Sequence, residues 1–241
     1  MEKSIVALLD DAVKTGLNVA LVGEAGTGKE QGARFLHARK KGASFYRYDC
    51  LTDEVERWSL VAAFLTELEK GLLQIPNQKE TRFLKDIHFL DQKQINALLD
   101  RLHTKLLGNQ QSSSVILRAG LICSCEPERA KLSPWKELIV QFFPHEITVL
   151  PLRERRAEIP LLVSEFISEW TQAHQKVISG IDERALNLLE EYYWPGNISE
   201  LKSVLRQACA FADYHGIVSA ELIEKRIRPG ATVTAPGGVN F

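Results

Sequence analysis

A seven-residue loop, Gly23-Glu24-Ala25-Gly26-Thr27-Gly28-Lys29, constrains this 241-residue chain more than any other stretch. It follows an apolar run from Leu17 to Val22 that reads as a buried strand, and it opens a stretch from Lys29 to Arg39 that reads as a helix. A GxxxxGK loop between a strand and a helix is suited to holding phosphate. Its glycines permit backbone angles that turn several N–H groups inward. The helix N-terminus adds positive potential, and Lys29 supplies an ammonium. Glu30 comes next, where the general pattern has Ser or Thr for magnesium.

The rest of the first 150 residues alternates strands with helices. Phe45 to Tyr48 and Thr81 to Ile87 read as strands, as do Val115 to Cys125 and Ile147 to Val149. Residues 55 to 74 and Gln92 to Leu107 carry apolar residues near helical spacing. Such alternation predicts an α/β fold with a mostly parallel sheet flanked by helices. After Pro151 the pattern becomes helical throughout. Ile159, Val163, Phe166 and Trp170 form one apolar face, Ala185, Leu188, Leu189 and Tyr192 another, and Leu201, Val204, Leu205 and Ala208 a third. The expected layout is an α/β nucleotide-binding part over 1–150, a small helical bundle over 151–228 and an unstructured tail over 229–241. Asn197 and Glu200, three apart at the head of the last stripe, read as an N-cap with its reciprocal partner.

Composition narrows the function classes. Thirty basic residues against 31 acidic ones give a net charge of −1, so a general electrostatic grip on nucleic acid is not expected of this chain. Neither a spanning apolar run nor a secretory leader is read in this sequence, and four cysteines without disulfide or zinc spacing make a reducing, cytoplasmic location the expectation. Cys123 and Cys125, in the run LICSC, read as small core residues on one face of a strand. The six histidines show no metal-ligand spacing, and no metal ligand is assigned.

Four stretches together resemble one family. They are VALVGEAGTGKE over 19–30 with ARFLH over 33–37, TRFLKDI over 81–87 with QINALL over 94–99, PLRERRAEIP over 151–160, and WPGNISELK over 194–202. In this order they resemble the AAA+ domain of bacterial enhancer-binding, NtrC-like transcription regulators of the sigma-54-dependent type. The resemblance implies an AAA+ core with a helical lid. ATP or ADP would be held by Gly23, Glu24, Ala25, Gly26, Thr27, Gly28, Lys29 and Glu30, and the family too has Glu after the loop lysine.

The departures from the family pattern matter more than the matches. Its second ATPase motif ends Asp-Glu, where this chain has Lys85 and Asp86. A lysine repels magnesium, and Asp86 remains a candidate catalytic base from a shorter side chain. The sensor Asn becomes Glu126, the two trans-acting arginines fall on Trp135 and Gln141, and the last motif's arginine becomes Ser199. The loop that contacts the sigma factor in that family, expected between Trp58 and Glu80, reads as deleted or replaced by continuous helix.

The resemblance with these losses implies a regulatory AAA+ domain that binds nucleotide but hydrolyses little or none. Two alternatives stay open at this point. One is an active ATPase using Asp86 or Asp91 with Lys136 or Arg153. The other is an interaction module that binds no nucleotide and pairs with another AAA+ regulator. Some relatives bind cyclic dinucleotides, for which Arg153, Arg155 and Arg156 are the candidates, although their interleaving with Glu154 and Glu158 reads as a salt-bridged face. The expected partners are further copies of this chain or another AAA+ regulator, with neither DNA nor membrane bound by this segment.

Overall fold

A computed structural model describes residues 5–39, 44–73, 80–106, 120–174, 176–213 and 216–227. The chain divides into two compact units, one of residues 1–24 with 28–149 and one of residues 25–27 with 150–241.

The first unit is built on a five-stranded parallel sheet. Its strands are β1 (Val19–Val22), β2 (Ser44–Asp49), β3 (Glu80–Lys85), β4 (Leu121–Cys125) and β5 (His145–Thr148), ordered β2-β3-β4-β1-β5. The helices are α1 (Ile5–Thr15), α2 (Lys29–Arg39), α3 (Glu54–Leu73), α4 (Gln92–Leu106), the four-residue α5 (Pro127–Ala130) and α6 (Trp135–Phe142). Alternation along each strand sorts side chains to two faces. Ala20, Val22, Cys123 and Cys125 enter one core with Phe64, Ile95, Leu98 and Leu138. Val19, Leu21, Phe83 and Ile122 enter the other with Leu9, Ala12, Ala33 and Leu36 of α1 and α2. The sheet is thus covered on both sides, which is why β1 reads as an unbroken apolar run. Cys123 and Cys125 share one face, as the sequence predicts, and burial pushes the Cys125 thiol up to about 12.

In two places the first unit differs from the sequence reading. Strand β3 stops at Lys85, two residues short of Ile87, because Asp86 turns left-handed with φ 57° and ψ 54°. The amphipathic helix α1 has no counterpart in the pattern read above. The early part of the expected fourth strand, residues 115–119, lies outside the described residues.

The second unit contains α7 (Ile159–His174), α8 (Glu183–Glu191), α9 (Asn197–Phe211) and the short α10 (Ala220–Glu224), with a two-residue parallel pair of β6 (Gly180–Ile181) and β7 (Ile217–Val218). Fully buried Trp194 anchors its core, with its indole N–H donating to the Leu189 carbonyl at 2.7 Å. The N-cap assignment at Asn197 is corrected here. Glu200 Oε2 does accept from a backbone N–H near the helix start, that of Gly196 at 2.7 Å. Asn197 itself lies inside the helix's first turn with φ 53°, and its side chain is used elsewhere. The tail over 229–241 lies outside the described residues. Among the described residues no helix is long and apolar enough to cross a membrane.

Candidate nucleotide site

Parallel strands carry their ligand sites at their C-terminal ends. Four of them end here on the residues that matter: β1 on the loop, β2 on Asp49, β3 on Lys85 and Asp86, and β4 on Glu126. In the loop, Gly26 and Gly28 adopt φ of 75° and 96°, which L side chains rarely accept. Lys29 opens α2 with its side chain buried, its ammonium donating to the carbonyls of Gly23 at 2.7 Å and Glu24 at 2.8 Å. Burial pulls this ammonium below its ordinary 10.5, while the carboxylates of Asp86 and Glu126 act in the opposite sense. Positive-φ glycines, an eleven-residue helix opening at Lys29 and a buried cation suit a phosphate group.

The loop's tip belongs to the second unit. Each of its three carbonyls accepts a hydrogen bond there: Ala25 from Asn197 Nδ2 at 2.9 Å, Gly26 from the Ser199 N–H at 3.3 Å, and Thr27 from Arg155 Nη2 at 2.6 Å. Asn197 is fully buried and also accepts from the Leu152 N–H at 2.8 Å, so its amide is used at both ends. A Cβ on Gly26 would stand 2.3 Å from the Gly196 carbonyl oxygen, so no larger residue fits. Ser199 is exposed and contributes its backbone rather than a cation. Arg155 is taken up by Thr27, by the Leu150 carbonyl at 3.1 Å and by Glu158 at 3.0 Å, while Arg153 lies over the Tyr193 ring at 4.9 Å.

In the first unit, Lys85 meets no solvent-only surface. Its ammonium lies 2.8 Å from Asp49 Oδ2 and 3.7 Å from Asp86 Oδ2. Arg47 donates to the same Asp49 oxygen and reaches Glu30 Oε1 at 3.5 Å, and Arg34 holds Glu30 from the next turn at 2.9 Å. Asp86 is locked by Ser124, whose hydroxyl accepts from the Asp86 N–H at 2.8 Å and donates to its carboxylate at 3.1 Å. That reciprocal pair holds the left-handed backbone at Asp86, a conformation unusual outside glycine. The carboxylates nearest Lys85 are therefore already engaged, with an ammonium standing among them. This donor set does not fit magnesium.

The remaining candidates are dispersed. Trp135 donates its indole N–H to the Ile87 carbonyl at 3.2 Å under Arg129, and Gln141 and Lys136 are exposed on α6. Asp91 caps α4 by accepting from the Gln94 N–H at 2.8 Å, which occupies the alternative acid. Sequence reasoning missed Arg47, Asp49, Ser124 and His88. A signal for the first three was present: charged or hydroxyl residues interrupting apolar runs at the ends of neighbouring strands.

His88 is 8% exposed in its side chain, with Nε2 3.6 Å from Glu126 Oε1 and Nδ1 without a partner among the described residues. Burial holds its pKa below the ordinary 6.5, with Glu126 and Asp86 raising it and Lys29 and Arg129 lowering it further. A histidine depressed in the folded state makes its full contribution to stability above its unfolded value. That contribution is lost as pH falls below about 6.5, where the unfolded chain binds the extra proton. The urea midpoint is thus expected to drop further between about pH 7.5 and pH 5.5 in the wild type than in His88→Gln. Equal drops would show that His88 does not carry the linkage.

Residues 1–132 match the model of the sigma-54 interaction domain, and residues 153–237 match that of the AAA+ ATPase lid domain. The chain belongs to the sigma-54 interaction domain family. Curated relatives include the phenol regulator MopR of Acinetobacter guillouiae, 28% identical over 88% of this chain and 40% of its own length. They also include the regulatory protein AtoC of Escherichia coli, 28% identical over 98% of this chain and 56% of its own. This sigma-54 interaction domain thus spans about half the length of such relatives. Its fold is that of NtrX from Brucella abortus, solved in complex with ATP, with TM-score 0.71 at 21% identity over 90% of this chain and 53% of that one. The same protein in complex with ADP gives TM-score 0.67 at 20% identity over 92% and 54%.

Proposed function

We propose that this chain is a regulatory AAA+ domain of a bacterial transcription regulator that binds ATP or ADP through Gly23 to Lys29 and hydrolyses it little or not at all. The observation that carries the reading is the ion-paired Lys85 at the end of β3, on the same unit as Lys29 with its buried ammonium. Binding parts are present, while the groups that would stabilise transition-state charge are replaced by Trp135, Gln141 and Ser199. Arginine fingers contribute on the order of a thousandfold or more to such hydrolysis. Helix α3 runs unbroken from Glu54 to Leu73, which supports the absence of a sigma-remodelling loop, and residues 74–79 lie outside the described residues. Regulation would act through self-association or pairing with another AAA+ regulator. ATP or ADP is favoured over a cyclic dinucleotide because Arg155 is consumed by the loop tip and Glu158.

Calorimetry with ATP and ADP beside a steady-state hydrolysis assay tests this directly. Binding with turnover far below an active AAA+ protein is expected, and turnover comparable to one sinks the reading. Chelation should change ATP affinity less than about tenfold, because an ammonium already stands where the metal would be held. Lys85→Asp should make affinity magnesium-dependent without restoring turnover, since catalytic groups acting as a unit are strongly non-additive. A large gain in hydrolysis from Lys85→Asp alone would place the missing cations elsewhere in the chain.

A further inference from the structure

Two cations converge on one carboxylate at the edge of this sheet. Asp49 and Lys85 stand opposite each other in the β2–β3 register, and Arg47 lies two residues earlier on the same face of β2. Asp49 Oδ2 takes both Lys85 Nζ, at 2.8 Å, and Arg47 Nη2. Burial pushes the Asp49 carboxyl up, but hydrogen bonds from Lys85, Arg47 and the Leu51 N–H outweigh it and hold the group below the usual carboxylate range. Arg47 also reaches Glu30, the residue after Lys29, so the pair of cations is tied to the first turn of the loop helix. The ammonium of Lys85 is close enough to that of Lys29 to help lower its pKa. The side chains of Lys85, Asp49 and Arg47 are 22%, 28% and 41% exposed, open enough to exchange partners.

An ammonium and a guanidinium fixed on one anionic oxygen make the arrangement that holds a phosphate equally well. Resting on the nucleotide-binding reading above, we propose that Arg47 and Lys85 form an anion subsite for the terminal phosphate of a nucleoside triphosphate, and that Asp49 fills this subsite until that phosphate arrives. Asp49 then acts as a built-in competitor. It lowers affinity for the triphosphate, leaves the diphosphate nearly untouched and so narrows the preference between them. A carboxylate that merely supported the site would have the opposite sign, because its removal would loosen Lys85.

The test is calorimetry of ATP and ADP in EDTA on the full chain. Asp49→Asn should raise ATP affinity at least fivefold and ADP affinity less than twofold, and Lys85→Gln added to it should abolish the gain. In the wild-type background, Lys85→Gln and Arg47→Gln should each lower ATP affinity while leaving ADP within twofold, which gives a readout even where Asp49→Asn does not fold. Unchanged or weaker ATP binding by folded Asp49→Asn overturns the subsite, as do parallel ATP and ADP shifts in the cation variants. Wild-type protein that binds neither nucleotide overturns the nucleotide-binding reading itself, a result distinct from binding without discrimination.

Discussion

Lys29→Ala is expected to weaken ATP binding by about ten- to a hundred-and-fifty-fold, equivalent to ~1.5–3 kcal/mol for the loss of hydrogen bonds to a charged group. Two effects act together. The ammonium proposed to face the outer phosphates disappears, and the loop loses the cross-tie that joins the carbonyls of Gly23 and Glu24. A structural contribution alone would lower the melting temperature and spare affinity at temperatures where the variant is folded. Calorimetry at such a temperature separates the two. Affinity equal to that of the wild type would mean that the loop is not the site.

Asn197→Leu is expected to cost about 2–4 kcal/mol of folding stability. The side chain is fully buried and serves both the Leu152 N–H and the Ala25 carbonyl. Leaving the buried Leu152 N–H without a partner costs about 1–3 kcal/mol, and the Ala25 carbonyl, on an exposed residue that water can reach, adds less. Asn197 also sits at φ 53°, where a branched side chain adds strain of about 1 kcal/mol or more. Domains have about 5–15 kcal/mol in total, so the variant approaches the unfolding threshold. Urea unfolding measures it, and a loss under about 1 kcal/mol would show that the two groups find other partners. Asn197→Asp, which keeps the acceptor and loses the donor, should fall between.

Helix α2 begins and ends where the sequence places it, at Lys29 and Arg39, because a loop motif and its helix are local and punctuated by glycine. Strand β3 was legible only as far as its apolar character. Its early stop comes from Ser124, 38 residues away, whose hydroxyl stabilises the left-handed Asp86. Asn197 misled for a similar reason: its spacing to Glu200 is that of a capping pair, yet its buried amide answers to Leu152 and Ala25. Asp49 escaped notice because its partner Lys85 is 36 residues away and becomes adjacent only through strand register. Local grammar thus revealed the loop. The ion network around it depends on pairings that periodicity does not encode.

The partners of the loop tip also set a schedule for the chain during its synthesis. Thr27 waits for Arg155, 128 residues on, and Ala25 waits for Asn197, 172 residues on. At about 5–20 residues per second, a ribosome delivers Asn197 roughly 10–35 s after Ala25. Over that interval the nascent loop has its glycines and its lysine while its three tip carbonyls lack the groups that orient them. A polypeptide released before the WPGN stretch emerges would carry the whole GxxxxGK motif with the Ala25 and Gly26 carbonyls still without their native donors, so residues translated late decide when the tip of an early loop is held in place.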